Sequence, residues 1–154
     1  MLKIHTDQRR IEDVAAPLTL LLTRRVTFAA AHVLRRLDWD DERNAAVFGQ
    51  CARDHGHNYV LEVSVSGELD PDTGMVVNLR DLDRVVREAV VEQVDHRHLN
   101  HDVPFLDGVV PTAENLALAF WQQLDRRLRH SAPAARLRRL RLVESENNTV
   151  EVSS

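Results

Sequence analysis

Alternating apolar and polar positions mark two strands in the first half of the chain. Between His57 and Val65, the odd-numbered positions after the histidine are all aromatic or aliphatic. The even-numbered positions are polar except for Val60. An earlier stretch, from about Leu18 to His32, is rich in residues that suit a pleated surface. Because a period of two places alternate side chains on one face of a sheet, both stretches are predicted to be strands with one buried face.

Two later segments repeat apolar residues at helical spacing. The first begins behind Asn78, the expected N-cap, and continues to Val94. The second begins at Pro111-Thr112, with Thr112 as the N-cap and Glu114 favourably placed for the helix dipole. The two apolar stripes comprise Leu82, Val85, Val86, Ala89, Val90 and Val94, and Leu116, Phe120, Leu124 and Leu128.

The remaining segments complete an α+β order of strand, strand, helix, helix, strand, strand. Alternation predicts strands at 138–144 and 149–152, and the apolar stretch Met75 to Val77 can return as a short strand. Polar loops are expected at 35–44 and 95–108. Strands separated in this way from a run of helices favour an antiparallel sheet covered on one face.

Composition and length fit one cytoplasmic globular domain. The 154 residues suit a single domain at 17–154, preceded by an N-terminal extension at 1–16. A net charge of -4 gives no broad nucleic-acid footprint. The single cysteine excludes an intramolecular disulfide and suits a reducing compartment. The apolar runs are too short to cross a bilayer and the N-terminus does not read as a signal peptide, so no membrane partner is expected.

A His-Gly-His triplet, His55-Gly56-His57, stands at the entrance of the second predicted strand. Histidines two residues apart in an extended chain project to the same side, with roughly 6–7 Å between their α-carbons. A catalytic zinc site usually has a third protein ligand and one open position. His32 is the candidate, because it ends the preceding strand and would lie beside the start of the second. The three histidines therefore predict a zinc site, against the alternative of ordinary polar residues at strand ends.

The single cysteine, Cys51, lies four residues before His55 and admits three interpretations. It can be a fourth zinc ligand, which would give a closed structural site. It can be a reactive thiol beside the metal, whose thiolate form Arg53 would favour. It can also be a buried apolar residue, although its polar, turn-like neighbours argue against this. We favour the reactive thiol.

Two further positions carry candidate chemistry. Asp95 directly precedes His96, and a carboxylate beside a histidine can fix its tautomer and raise its basicity. Glu144 follows Leu140 and Leu142 on what should be the buried side of a strand. A carboxylate in that position either forms a salt bridge or binds a cationic or amidine-like ligand edge. The neighbouring His98 and His101 are expected to be solvated loop residues.

Taken together, these residues resemble the 6-pyruvoyl-tetrahydropterin synthase / 6-carboxy-tetrahydropterin synthase family over about residues 20–152. The motifs occur in the family's order. The segments that carry the resemblance are Phe28-Ala29-Ala30-Ala31-His32, Cys51 through Tyr59, Gly67 through Val76, Asp95 through Asn100, Pro111 through Asn115, and Glu144 through Asn148.

The resemblance implies a tunnelling fold (T-fold): a four-stranded antiparallel sheet with two helices on one face. It implies Zn²⁺ as the cofactor, a pterin triphosphate as the substrate, and a homohexamer of two trimers with active sites shared between subunits. By position in the motifs, His32, His55 and His57 match zinc ligands, and Cys51, Asp95 and His96 match catalytic residues. Glu144 matches the pterin anchor, and Thr112 and Glu114 fall in a second pterin-contacting segment.

The resemblance leaves the product open between two branches. The three-residue gap between Cys51 and His55 is typical of the queuosine-pathway enzymes, so we expect a zinc-dependent lyase that converts 7,8-dihydroneopterin triphosphate to 6-carboxy-5,6,7,8-tetrahydropterin. The alternative is a biopterin-type 6-pyruvoyl-tetrahydropterin synthase, which the segments 47–51 and 147–148 resemble more closely. A non-catalytic zinc- or pterin-binding module is the alternative from another class. Candidates for triphosphate binding are Arg35, Arg36 and Arg53.

Overall fold

The computed structural model describes residues 18–154, and two long strands form the centre of its sheet. β1 (Leu22–His32) and β2 (His55–Ser66) pair antiparallel along their whole length. The other strands are β3 (Arg97–His98), β4 (Arg136–Ser145) and β5 (Asn148–Ser153). They complete the order β3-β1-β2-β4-β5, in which only β3 lies parallel to its neighbour. The predicted N-terminal extension, 1–16, lies outside the described residues.

Among residues 18–154, four α-helices accompany the sheet. They are α1 (Asp41–Phe48), α2 (Leu79–Val86), α3 (Glu92–Val94) and α4 (Ala113–Ser131), and a π-helical segment, Arg87–Val91, joins α2 to α3. Asn78 and Thr112 are the N-caps of α2 and α4, as predicted, and each side chain accepts a hydrogen bond from a backbone N–H of the first turn. Within 18–154, no helix is both long and apolar enough to cross a membrane.

The core lies between one face of the sheet and the helices α2 and α4. In β1 the residues Val26, Phe28 and Ala30 are buried, and in β2 the residues from Tyr59 to Val65 at odd positions are buried. The predicted helical stripes meet them, with Leu82 and Phe120 fully buried. This confirms the predicted α+β class, and the T-fold pattern of four antiparallel strands is present in β1, β2, β4 and β5.

The fold differs from the sequence prediction in three places. Among the described residues the sheet has five strands rather than four, because β3, inside the predicted loop 95–108, pairs with Ala30 and Ala31. The predicted strand Met75 to Val77 is wrong, since the carbonyl of Met75 accepts from Asp70 N–H in a turn. The predicted loop 35–44 overlaps the first turn of α1. This helix buries only Asn44, so it lacks the apolar stripe from which a helix is predicted.

The segment that follows α3 is held by hydrogen bonds along the outer edge of β1. The backbone N–H of His96 donates to the carbonyl of Ala29 at 2.6 Å. The side chain of Asn100 then accepts from Val33 N–H and donates to Val33 C=O, both at 2.9 Å. This amide takes up both backbone groups of Val33, as a paired strand would. The Asp95–Asn100 segment is thereby held against the end of β1 that carries His32.

Candidate metal centre and active site

Three histidines converge where the end of β1 meets the start of β2. His32 pairs directly with His55 in the strand register, and His57 follows two residues later. Their ring centroids are 4.5 to 5.1 Å apart, and one ligand atom from each lies within 4.8 Å of the others. Gly56 makes this close pairing possible, because a Cβ there would stand 3.0 Å from the carbonyl oxygen of Ala30.

The hydrogen bonds of two imidazoles fix which ring nitrogen carries the proton. His32 Nδ1 lies 2.9 Å from the Pro111 carbonyl oxygen, and His55 Nδ1 lies 2.7 Å from that of Arg53. A carbonyl can only accept, so both protons are on Nδ1 and both Nε2 atoms carry a lone pair. Within residues 18–154 these buried Nε2 atoms have no hydrogen-bond partner. Two oriented imidazoles beside a third fit a metal ion such as Zn²⁺.

Burial favours, for His32 and His57, the neutral form that a metal requires. His32 is fully buried, and this burial lowers its pKa to about 4 despite the opposing hydrogen bond to Pro111. Burial also lowers the pKa of His57, although the charge of Glu144 acts in the opposite direction. Because a metal binds the unprotonated nitrogen, the site is ready for an ion at neutral pH without losing a proton from His32.

Glu144 lies on the same buried side as the histidines. It follows Leu140 and Leu142 along β4, as the sequence pattern indicated, and only 13% of its side chain is exposed. Its Oε1 is 3.9 Å from His32 Nε2, which is too long for a hydrogen bond. A carboxylate is therefore available at the edge of the histidine cluster.

Cys51 lies in a short 3₁₀ turn, Gly49–Ala52, immediately before the histidine pair. Its carbonyl accepts from Leu34 N–H at 2.8 Å, which joins this turn to the chain after β1. The thiol is exposed, unlike that of a buried apolar cysteine. Among residues 18–154, the group able to hold a metal consists of the three histidines and does not include Cys51.

Asp95 and His96 form a pair on the other edge of β1. His96 Nδ1 lies 3.0 Å from Asp95 Oδ1, and that oxygen also accepts from Ala29 N–H at 2.9 Å. The Ala29 N–H and the His96 ring hold the pKa of Asp95 below its ordinary value, although burial opposes them. His96 has a φ of 57° and an 82% exposed side chain. Such a backbone is uncommon for a residue with a Cβ and often marks a functional position.

The candidate residues fall on two surfaces of the chain. An open depression of about 500 Å³ is lined by Ala29 to Ala31, Gly56 to Asn58 and His96 to His98, so it brings His57 and His96 together. Cys51 and Glu144 do not line it. Thr112 caps α4 next to Pro111, whose carbonyl holds His32, whereas Glu114 is exposed.

The candidate triphosphate arginines have different surroundings. Arg35 lies 2.7 Å from Asp41, and Arg36 lies 2.8 Å from Asp38, so each guanidinium already has a carboxylate partner. Arg53 is exposed in the turn beside His55. Of the three candidates, Arg53 is therefore the one that forms no ion pair with a carboxylate among the described residues.

Two residues near the histidines have roles that the sequence pattern did not indicate. His98 was predicted to be solvated, but its side chain is only 22% exposed and its Nε2 lies 2.9 Å from Asp54 Oδ1. This contact links β3 to the residue just before His55. Tyr59 is fully buried beside His57, and its hydroxyl has no hydrogen-bond partner in the part of the chain that the structure describes. His101 is exposed, as predicted, and stacks on His98.

The antiparallel strands, the two helices packed on one face and the histidine cluster define a T-fold protein with a candidate metal site. The family model described as 6-pyruvoyl tetrahydropterin synthase matches residues 21–154. The chain therefore belongs to the 6-pyruvoyl tetrahydropterin synthase family.

Individual relatives match between about two thirds and nine tenths of this chain. The 6-pyruvoyl tetrahydrobiopterin synthase of Pongo abelii is 42% identical over 131 residues, which cover 84% of this chain and 88% of the relative. A protein of Archaeoglobus fulgidus, provisionally named 6-carboxy-5,6,7,8-tetrahydropterin synthase, is 34% identical over 67% of this chain and 78% of its own. The structure of Caenorhabditis elegans 6-pyruvoyl tetrahydropterin synthase superposes with a TM-score of 0.81 at 33% identity, covering 89% of this chain and 96% of that one.

The histidine cluster makes a prediction about metal content. Purified protein should carry about one zinc per chain. His55→Ala, His57→Ala and the double variant should lose most of it, because each single variant removes one of the three candidate ligands and the double variant removes two. His130→Ala, which changes an exposed histidine of α4, is the control and should keep the metal. Elemental analysis of the folded proteins measures this, and full zinc occupancy in the double variant would exclude the site.

The backbone of His96 makes a second prediction, about stability. His96→Gly should leave the free energy of unfolding unchanged or raise it by up to about 1 kcal/mol, because glycine adopts a positive φ without strain. His101→Gly, at an exposed histidine outside the positive-φ residues, should instead lower it by roughly 0.4–1 kcal/mol. Urea denaturation compares the two. Equal destabilisation by both variants would mean that the His96 backbone is unstrained.

Proposed function

We propose that this chain is a zinc-dependent tetrahydropterin synthase that converts 7,8-dihydroneopterin triphosphate to 6-pyruvoyl-tetrahydropterin by eliminating triphosphate. The observation that carries the proposal is the cluster of His32, His55 and His57, in which one ligand atom of each imidazole lies within 4.8 Å of the others. Two of the Nε2 atoms are buried and have no hydrogen-bond partner among residues 18–154. Family membership supports the substrate class. The names of relatives such as the Pongo abelii enzyme, which share about two-fifths of their residues with this chain, support the pyruvoyl product.

The three imidazoles would hold the zinc, which supplies Lewis-acid polarisation of the substrate's side-chain hydroxyls. Glu144, which lies next to His32, is the residue we assign to the pterin ring. A carboxylate accepts two parallel hydrogen bonds from the ring's guanidine-like edge, which gives both affinity and orientation. Thr112 and Glu114 follow Pro111 at the start of α4, and we assign them to a second contact with the ring.

Proton transfer is assigned to Cys51, Asp95 and His96. The exposed Cys51 would remove a proton from a side-chain carbon as its thiolate, and His96 would deliver or accept one. Asp95 holds the His96 ring at Nδ1, which leaves Nε2 for the substrate. The two electrons lost by the side-chain carbons reduce the C6=N5 bond of the ring, and triphosphate leaves with the electron pair of its C–O bond. The reaction therefore needs no external oxidant.

A second candidate product follows from one observation. Cys51 and His55 are separated by three residues, a gap typical of the 6-carboxy-tetrahydropterin synthases of queuosine biosynthesis. In that branch the same chemistry is followed by carbon–carbon cleavage with water, which releases acetaldehyde and leaves a carboxylate on C6. The zinc site and the roles assigned above are the same for both products.

We also propose that active sites are shared between copies in a homohexamer of two trimers. β3 covers only Ala30 and Ala31 of β1, so the edge of β1 before them is unpaired within the described chain, as is the outer edge of β5. The strands β1, β2, β4 and β5 alternate in direction, so β5 of one copy runs antiparallel to β1 of the next in a ring. Such pairing would remove both open edges.

Products identified by mass spectrometry test the reaction. Incubation of the zinc-loaded protein with 7,8-dihydroneopterin triphosphate should yield triphosphate and 6-pyruvoyl-tetrahydropterin, whereas acetaldehyde and a 6-carboxy product would assign the other branch. Cys51→Ala should abolish turnover and retain its zinc, because the thiol is assigned to proton transfer rather than to ligation. If the folded Cys51→Ala protein loses its metal, Cys51 is a ligand, and this outcome supports the non-catalytic binding module instead.

Complementation tests whether active sites are shared. Cys51→Ala and His96→Ala proteins should each be inactive, since each lacks one proton-transfer group. After dissociation, mixing in equal amounts and reassembly, roughly a quarter of the interfaces should combine an intact Cys51 with an intact His96, because each is present in half of the subunits. Recovery of about that fraction of activity is expected. A fully active monomer in light scattering would exclude the shared site, and an inactive reassembled mixture would place both residues in one chain.

A further inference from the structure

Tyr59 carries a buried hydroxyl group beside the candidate metal centre. The residue is fully buried on β2, and its ring stacks on Phe28 of β1 with centroids 4.8 Å apart and planes 11° apart. Phe28 is in turn held by an edge contact with Phe120 of α4. This packing prevents the ring from turning its hydroxyl towards solvent. Within residues 18–154 the hydroxyl has no hydrogen-bond partner, although buried phenols usually have one.

Three groups on this side of the sheet can accept a hydrogen bond from the phenol. The rings of His57 and His32 lie 5.5 and 6.3 Å from the Tyr59 ring, and both belong to the group that would hold the metal. The third group is Glu144. The register of β2 and β4 ends at the pair Val60 and Val143, and Tyr59 and Glu144 are the next residues of the two strands beyond it.

An ordinary phenol is protonated at neutral pH, so the Tyr59 hydroxyl can donate a hydrogen bond. A metal ion would engage the lone pairs of the two histidines, which leaves the carboxylate of Glu144 as the acceptor. That carboxylate is 3.9 Å from His32 Nε2, too far for a hydrogen bond, so its orientation is not yet fixed by this neighbour.

We propose that Tyr59 is a positioning residue that donates a hydrogen bond to Glu144 when the site is occupied, and thereby fixes the carboxylate in the orientation that receives the pterin ring. The inference rests on the proposed function, in which Glu144 binds the ring. A carboxylate that accepts two parallel hydrogen bonds must be held in one plane, and a neighbouring donor on a rigid ring supplies that constraint. The phenol itself stays buried and acts only through Glu144.

Replacing Tyr59 by phenylalanine separates this role from a structural one. Tyr59→Phe keeps the stacked ring and removes only the hydroxyl. Zinc content by elemental analysis should be unchanged, and resistance to urea should be equal or higher, because an unpartnered buried donor has been removed. The dissociation constant for pterin, measured by fluorescence titration of the full chain, should rise about tenfold, which is the loss of one hydrogen bond to a charged group. In turnover, KM should rise while kcat is nearly retained.

A double-mutant cycle with Glu144→Gln tests whether Tyr59 acts through Glu144. In the Glu144→Gln background, Tyr59→Phe should change the pterin dissociation constant by less than about twofold, because the two substitutions remove the same interaction. Ser64→Ala is the matched control. It removes another fully buried hydroxyl of β2, but one that is partnered with Thr23 Oγ1 at 2.7 Å, so it should lower stability and leave pterin affinity unchanged.

Each outcome has a distinct meaning. Equal pterin binding by the wild type and Tyr59→Phe overturns this inference alone. A clear loss of stability or of zinc in Tyr59→Phe assigns the hydroxyl to the fold and also overturns it, as does a tenfold effect that persists in the Glu144→Gln background. A wild-type protein that binds no pterin overturns the proposed function, and this inference with it.

Discussion

The antiparallel register of β1 and β2 is the constraint on which the site depends. It places His32 directly opposite His55 and Phe28 opposite Tyr59, so the candidate metal-binding group and the buried phenol share one face. Because the side-chain period of a strand is two, a slip of one residue would turn the histidines of one strand to the other face of the sheet. The alternating burial of Val26, Phe28 and Ala30 opposes such a slip, since it would expose these core residues.

The unfavourable free energy of this arrangement comes mainly from the imidazoles. Three rings within about 5 Å cannot all be protonated, and burial depresses the pKa of His32 to about 4. Neutral rings remove the charge repulsion, but they leave two buried Nε2 atoms that have no hydrogen-bond partner in the described chain, which is unfavourable in a protein interior. The backbone carbonyls of Pro111 and Arg53 point these nitrogens inward, so the fold maintains an unfavourable cluster that an ion would stabilise.

Sequence pattern predicted the parts of this molecule that repeat with a period, and missed those held by single contacts. The buried faces of β1 and β2, the stripes of α2 and α4 and the grouping of His32, His55 and His57 all follow from spacing. The helix α1 has no apolar stripe, because its buried residue is Asn44, held by three backbone carbonyls. The strand β3 is two residues long, and its pairing depends on Asn100 and His96, whose contacts with β1 no local pattern encodes.

The distribution of the candidate groups gives a physical reason for assembly. The histidines and Glu144 lie in or near the core, whereas Cys51 is exposed and the side chain of His96 is 82% exposed. Proton transfer by positioned side chains is most effective where water is excluded, and neither exposed group has such an environment within the described chain. A neighbouring copy that pairs along the open edge of β1 would cover the surface beside Asp95 and His96. The same contact that removes an unpaired strand edge would then also enclose the proton-transfer groups, so assembly and catalysis would depend on one interface.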